Sequence, residues 1–161
     1  MQKITPFLWF DGQAEEAANL YTSIFDNSKI LEISRYGEAA PSQAGSVMTV
    51  EFELDGLRIV GLNGGPAHRF TEAVSFAVSC ETQAEVDELW ARLSEGGEEG
   101  PCGWLKDRFG LSWQIVPTAL PRLLKDPDRE KSQRVMQAMM QMGKIDIAEL
   151  ERAAAGEEVT A

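Results

Sequence analysis

The chain has 161 residues, 43% hydrophobic and 25% charged, a balance that suits a globular protein and excludes a disordered one. A formal net charge of −11 sets any approach to a phosphate backbone or an anionic membrane against long-range repulsion, so neither nucleic acid nor membrane is expected as a partner. No apolar run approaches the ~20 residues of a membrane span, and the opening MQKITPFLWFDG has the pattern of a strand rather than a secretory signal, so the expected location is cytoplasmic.

In chain order, a strand is expected over Ile4–Phe10, followed by a helix that opens at Gln13-Ala14-Glu15 and carries Ala14, Ala17, Ala18, Tyr21, Ile24 and Phe25 on one face. Strands follow at Lys29–Tyr36, Val47–Leu54 and Leu57–Leu62. The last two are joined by Asp55-Gly56, a two-residue hairpin signal. A strand at Val74–Cys80 leads into a second helix with Val86, Leu89, Trp90 and Leu93 at helical spacing, capped by Thr82 and ended by Gly96-Gly97. The Gly/Glu-rich EGGEEGP segment then leaves one strand shortened or missing. A short strand near Cys102–Lys106, a tight turn at Phe109-Gly110 and a strand over Leu111–Val116 close this part. The tail is helical: Asp128 caps Arg129–Met142, Gly143 stops it, and the Asp146/Glu149 pair caps Ile147–Ala155, with fraying expected after Gly156. The methionine stripe of the first tail helix is expected to pack on its own core or on a dimer mate.

The second helix opens with Gln83-Ala84-Glu85, which follows Gln13-Ala14-Glu15 by 70 residues, and the same offset pairs Thr5 with Ser75. The chain therefore reads βαβββ and then βαβ(β)β. This is an α+β protein of two βαβββ-type modules, 1–66 and 67–118, forming a curled mixed sheet around a cleft, with a helical tail over 119–161.

Several phrases are distinctive when taken together: Trp9-Phe10-Asp11-Gly12, Ala14-Glu15-Glu16-Ala17, Ser75-Phe76, Cys80-Glu81-Thr82, Glu85-Val86-Asp87, Leu89-Trp90, the hairpin CGWLKDRFGLSWQIVP over 102–117, Ala138-Met139-Met140 and Lys144-Ile145-Asp146. Over nearly its whole length the chain resembles the PhnB-like proteins, a branch of the vicinal oxygen chelate (glyoxalase/bleomycin resistance/dioxygenase) superfamily. Members of the branch are often labelled 3-demethylubiquinone-9 3-methyltransferase. The resemblance implies a homodimer, and a site built from the first and last strands of the modules, where metal-dependent relatives place four ligands. The repeat maps these places onto Thr5, Val60, Ser75 and Gln114. Val60 and Gln114 each lie four residues after a turn glycine, Gly56 or Gly110. A valine, two neutral hydroxyls and an amide are a poor donor set for a divalent ion, so no metal is expected there. Glu51 and Glu53 add carboxylates on a neighbouring strand without a third ligand.

Other residues are weighed against plain structural roles. His68 follows Asn63-Gly64-Gly65-Pro66 and reads as an exposed loop histidine rather than a general base. Cys102, between Pro101 and Gly103, reads as a small apolar residue at a hairpin end rather than a thiolate nucleophile, and Cys80 reads as core. If Gln114 faces the site, Trp113 packs under a helix. The glycines from Gly61 to Gly65 do not open a helix, so they lack the setting of a nucleotide or S-adenosylmethionine loop, and no cofactor is expected. The expected function is metal-independent binding of a small organic molecule, with polar contacts from Thr5, Ser75 and Gln114 and an apolar lining of Phe7, Val60 and Ala77. The alternatives that the resemblance implies are an enzyme of lyase, isomerase or dioxygenase type, with Glu51, Glu53 or Cys102 as acid/base or nucleophile, and the methyltransferase activity of the family label, which the missing S-adenosylmethionine loop opposes.

Overall fold

A computed structural model describes residues 2–157. The expected fraying after Gly156 falls largely on positions outside that range. The chain divides into two compact units, the first ending at Phe70 and the second beginning at Thr71 and including the helical tail.

The first unit runs β1 (Phe7–Phe10), α1 (Ala14–Ile24), β2 (Lys29–Arg35), β3 (Val47–Leu54) and β4 (Leu57–Asn63), in one mixed sheet of order β1-β4-β3-β2. Asp55 and Gly56, with φ of 48° and 81°, form the expected hairpin turn between β3 and β4; two left-handed residues match the twist of paired strands. Alternation along β3 buries Val50, Phe52 and Leu54 on the face that α1 covers with Ala14, Ala17, Ala18 and Tyr21. The alanines let the helix sit close. A Cβ on Gly61 would lie 3.2 Å from that of Ala14. The start of α1 is capped from a distance, because Gln13 makes no side-chain cap and Ala14 N–H donates to Asn63 Oδ1 at 2.9 Å. β1 is shorter than expected and begins at Phe7. Pro6 has no N–H for a ladder, although its carbonyl accepts from Val60 N–H at 3.0 Å.

The second unit runs β5 (Ser75–Cys80), α2 (Gln83–Ser94), β6 (Glu98–Glu99), β7 (Trp104–Lys106) and β8 (Ser112–Pro117), in a sheet of order β5-β8-β7-β6. It repeats the order of the first. Phe7 pairs with Val60 in the parallel β1–β4 ladder and Ala77 with Gln114 in the parallel β5–β8 ladder, so residues 70 apart on the first strands (77 − 7) and 54 apart on the last (114 − 60) occupy the same register. The shortened strand is β6, two residues long. Thr82 caps α2 by accepting from Glu85 N–H.

The tail comprises α3 (Ala119–Leu124), α4 (Arg129–Met140) and α5 (Ile147–Ala154). α3 lies within the expected helical tail and contains Pro121. The proline occupies the first turn, where a missing N–H costs nothing. Asp128 and Asp146 cap the next two helices as expected. Leu120, Leu123, Val135, Ile145, Leu150 and Ala154 form a common core, with Met139 and Met142 packed against it. Met140 is 60% exposed. The tail is pinned to the second sheet's hairpin, because Cys102 and Gly103 N–H donate to Met142 and Gly143 carbonyls, each at 2.8 Å. The Gln83 side chain adds a clamp, donating to Ile145 O at 3.0 Å and accepting from Ile147 N–H at 2.8 Å.

Candidate functional site

In the second unit, β8 alternates as the sequence implies. Trp113 and Ile115 are buried towards α2, and Gln114 points to the opposite face. There Gln114 Nε2 donates to Ser75 Oγ at 2.9 Å, beside exposed Ala77. The ladders add Trp104 opposite Gln114 and Lys106 opposite Ser112 on the same face. Lys106 forms an ion pair with Glu72, which holds the Glu72 carboxyl below and the ammonium above their usual ranges, chiefly through their direct hydrogen bond.

The residue that builds this hairpin is one the sequence reading passed over. Asp107 is 2% exposed and accepts three hydrogen bonds, from Phe109 N–H (2.9 Å), Leu111 N–H (3.1 Å) and the Trp113 indole (2.9 Å). A signal for it exists. Asp107-Arg108-Phe109-Gly110 has aspartate first and glycine fourth, the signature of a tight turn, and Gly110 N–H closes it on Asp107 O at 2.9 Å.

In the first unit, Phe7 is 61% exposed on the face away from α1, with Val60 buried beside it in register and Thr5 half-buried before the strand. Glu51 lies opposite Val60 and is held by Arg58 at 2.5 Å, so its carboxylate is already engaged. Glu53 lies opposite Arg58. His68 is exposed and stands edge-on to Trp9, ring centres 4.8 Å apart.

The glycines after β4 serve packing. The Trp9 indole donates to Gly65 O at 2.8 Å, and a Cβ on Gly64 would lie 2.4 Å from the Trp9 ring. No helix follows them; the chain goes on to β5. This segment does not fit S-adenosylmethionine. The metal positions do not fit a divalent ion either, since Val60 has no donor atom and the Ser75 hydroxyl is engaged by the Gln114 amide. Among the described residues, no three His, Cys, Asp or Glu side chains converge to hold a metal.

Cys102 occupies a turn. Its φ is 58°, Gly103 follows at 84°, and Trp104 N–H donates to Pro101 O at 3.0 Å. A left-handed non-glycine residue carries a strain of roughly 1 kcal/mol. Cys102→Gly should therefore leave stability unchanged or raise it by up to about 1 kcal/mol in urea unfolding, and a loss above about 1 kcal/mol would show that the side chain packs usefully. Burial pushes the Cys80 thiol up to about 11, with Glu85 and Glu81 adding to it, in keeping with a core role.

Two four-stranded units of one order, each with its first and last strands parallel and its helix on one face, define the vicinal oxygen chelate fold. Within that fold, the chain belongs to the family described as 3-demethylubiquinone-9 3-methyltransferase, the PhnB-like proteins, whose model matches residues 2–116. A solved structure of a putative 3-demethylubiquinone-9 3-methyltransferase, PhnB protein, from Bacillus cereus is 40% identical. It covers 73% of this chain and 100% of its own, with a TM-score of 0.65. A Pseudomonas aeruginosa protein (20% identity, 73% and 98% coverage, TM-score 0.60) and the fosfomycin resistance protein FosX of Listeria monocytogenes (21%, 77% and 97%, 0.52) share the fold. A comparison with curated protein sequences finds no match.

Proposed function

We propose that this chain binds a small organic molecule without a metal or cofactor, at Ser75, Ala77 and Gln114 in the second unit, with Thr5, Phe7 and Val60 the corresponding candidate positions of the first. The observation that carries this reading is the Ser75–Gln114 pair. The two groups spend one hydrogen bond on each other at 2.9 Å and keep a second amide N–H, an amide oxygen and a hydroxyl proton for a ligand. They sit beside Ala77 and Trp104, a few polar groups in an apolar setting, which is how small-molecule sites fix orientation. The methyltransferase description finds no support in the residues after β4, for the reasons given above. The reading includes a homodimer, since β2 is an edge strand with Leu31 and Ile33 exposed, and such edges need covering. No helix among the described residues is long and apolar enough to cross a membrane.

The test is a fragment screen by ligand-observed NMR, followed by Gln114→Ala. Hits should bind the variant about tenfold more weakly, the scale of one or two lost hydrogen bonds, while its urea midpoint moves by no more than about 1 kcal/mol. Hits with unchanged affinity overturn the reading.

A further inference from the structure

Ser112 is 1% exposed, and its hydroxyl is the one buried side-chain polar atom among the described residues with no hydrogen-bond partner. Buried hydroxyls are ordinarily satisfied, and one left open asks what completes it. Ser112 lines a hollow of about 280 Å³, together with Trp104, Lys106, Glu72, Glu98 and Glu99. A larger hollow in the first unit, about 320 Å³, offers no such opening: its Tyr36 hydroxyl donates to Asn63 O, and the Asn63 amide is spent on Ala14 N–H and Val47 O.

The charges around Ser112 select the ligand. Lys106 is neutralised by Glu72 and stands opposite Glu98 in the β6–β7 ladder, so the ammonium is spent within the protein. Glu99 accepts from the Trp90 indole, so its carboxylate is turned towards α2. Two carboxylates, Glu72 and Glu98, against one ammonium leave this face of the lining net negative, which repels an anion and favours a cation. Trp104 supplies the aromatic face that attracts an organic ammonium. From this we infer that the hollow is the subsite of an organic cation, an amine carrying a ring or chain against Trp104 and a hydrogen-bonding group that completes Ser112. The inference rests on the ligand-binding reading above, because Ser112 and Lys106 lie on the same sheet face as Gln114.

Three para-substituted phenols of matched size test it: tyramine (cationic), 4-ethylphenol (neutral) and 4-hydroxyphenylacetate (anionic), titrated into the full chain at low ionic strength while amide and indole resonances are followed. Tyramine should bind best and move Trp104, Lys106 and Ser112. Ser112→Ala should weaken it about tenfold with stability unchanged or raised, since an unpaired buried hydroxyl is removed. Glu98→Gln should weaken it about threefold, less so as salt is added. Equal binding of the three phenols, tighter binding of the acid, or shifts elsewhere overturn the inference. If the phenols fail but screened fragments still move Ser75, Ala77 and Gln114, the cation alone is wrong. If no fragment touches those residues, the ligand reading falls with it.

Discussion

Asp107→Ala is expected to cost roughly 3–5 kcal/mol, a large part of the stability of a domain this size. The truncation removes the acceptor of the Phe109 and Leu111 amides and of the buried Trp113 indole together, at a carboxylate that is itself buried. Each buried donor left open costs about 1–3 kcal/mol, and the sum falls short of three full penalties because the turn relaxes. Trp113 also meets Phe76 edge to face at 5.4 Å, so its displacement reaches β5. Asp107→Asn separates hydrogen bonding from charge. One amide oxygen can keep both backbone bonds, but the amide NH2 then faces the indole N–H, donor against donor, for a loss of about 1–3 kcal/mol. Urea unfolding gives both numbers, and near-UV circular dichroism reports the tryptophan. A cost below about 1 kcal/mol for the alanine variant would mean that Asp107 does not hold the hairpin.

What could be read from sequence and what could not divide along physical lines. Local rules worked where the chain obeys only itself. Asp55-Gly56 is a hairpin turn because two left-handed residues are needed there, and Thr82, Asp128 and Asp146 cap because helices begin with open N–H groups. The period of two along β8 placed Trp113 and Gln114 on opposite faces. Sequence reading failed where the partner is distant. The cap of α1 comes from Asn63, 49 residues along the chain, which no local pattern announces. Cys102 is at a hairpin end, as its neighbours imply, but the bonds that hold its left-handed turn to the tail, Cys102 N–H to Met142 O and Gly103 N–H to Gly143 O, come from 40 residues along the chain (142 − 102). Ser112 is a serine in a strand until burial shows that its hydroxyl has no partner. The repeat bridged part of this gap, because two copies of one register relate Phe7–Val60 to Ala77–Gln114 without any contact being known.

Gly97→Ala should be the most damaging single methyl group in the second unit, at about 3 kcal/mol. The added Cβ would lie 2.1 Å from Lys106 O and 2.7 Å from Asp107 C, and both are backbone atoms that no side-chain rotation can move aside. The chain reaches this point from α2 through left-handed Gly96 (φ 76°), and Gly97 N–H donates to Ser94 O at 2.9 Å, so it cannot retreat without unravelling the helix end. The remaining escape is for β6 to leave β7, giving up the Glu98–Lys106 and Glu99–Leu105 pairs and the Trp90–Glu99 bond. Gly96→Ala is the control. Its Cβ meets only the Arg108 side chain, Cβ at 3.3 Å and Nε at 3.9 Å, and no backbone atom, so its cost is chiefly the left-handed backbone, about 1–2 kcal/mol. The expected order in urea unfolding is Gly97→Ala well below Gly96→Ala, and the reverse order would show that β6 yields cheaply. Because Glu98 and Glu99 line the hollow beside Ser112, Gly97→Ala should also abolish tyramine binding, whereas Gly96→Ala should leave it near that of the unmodified chain.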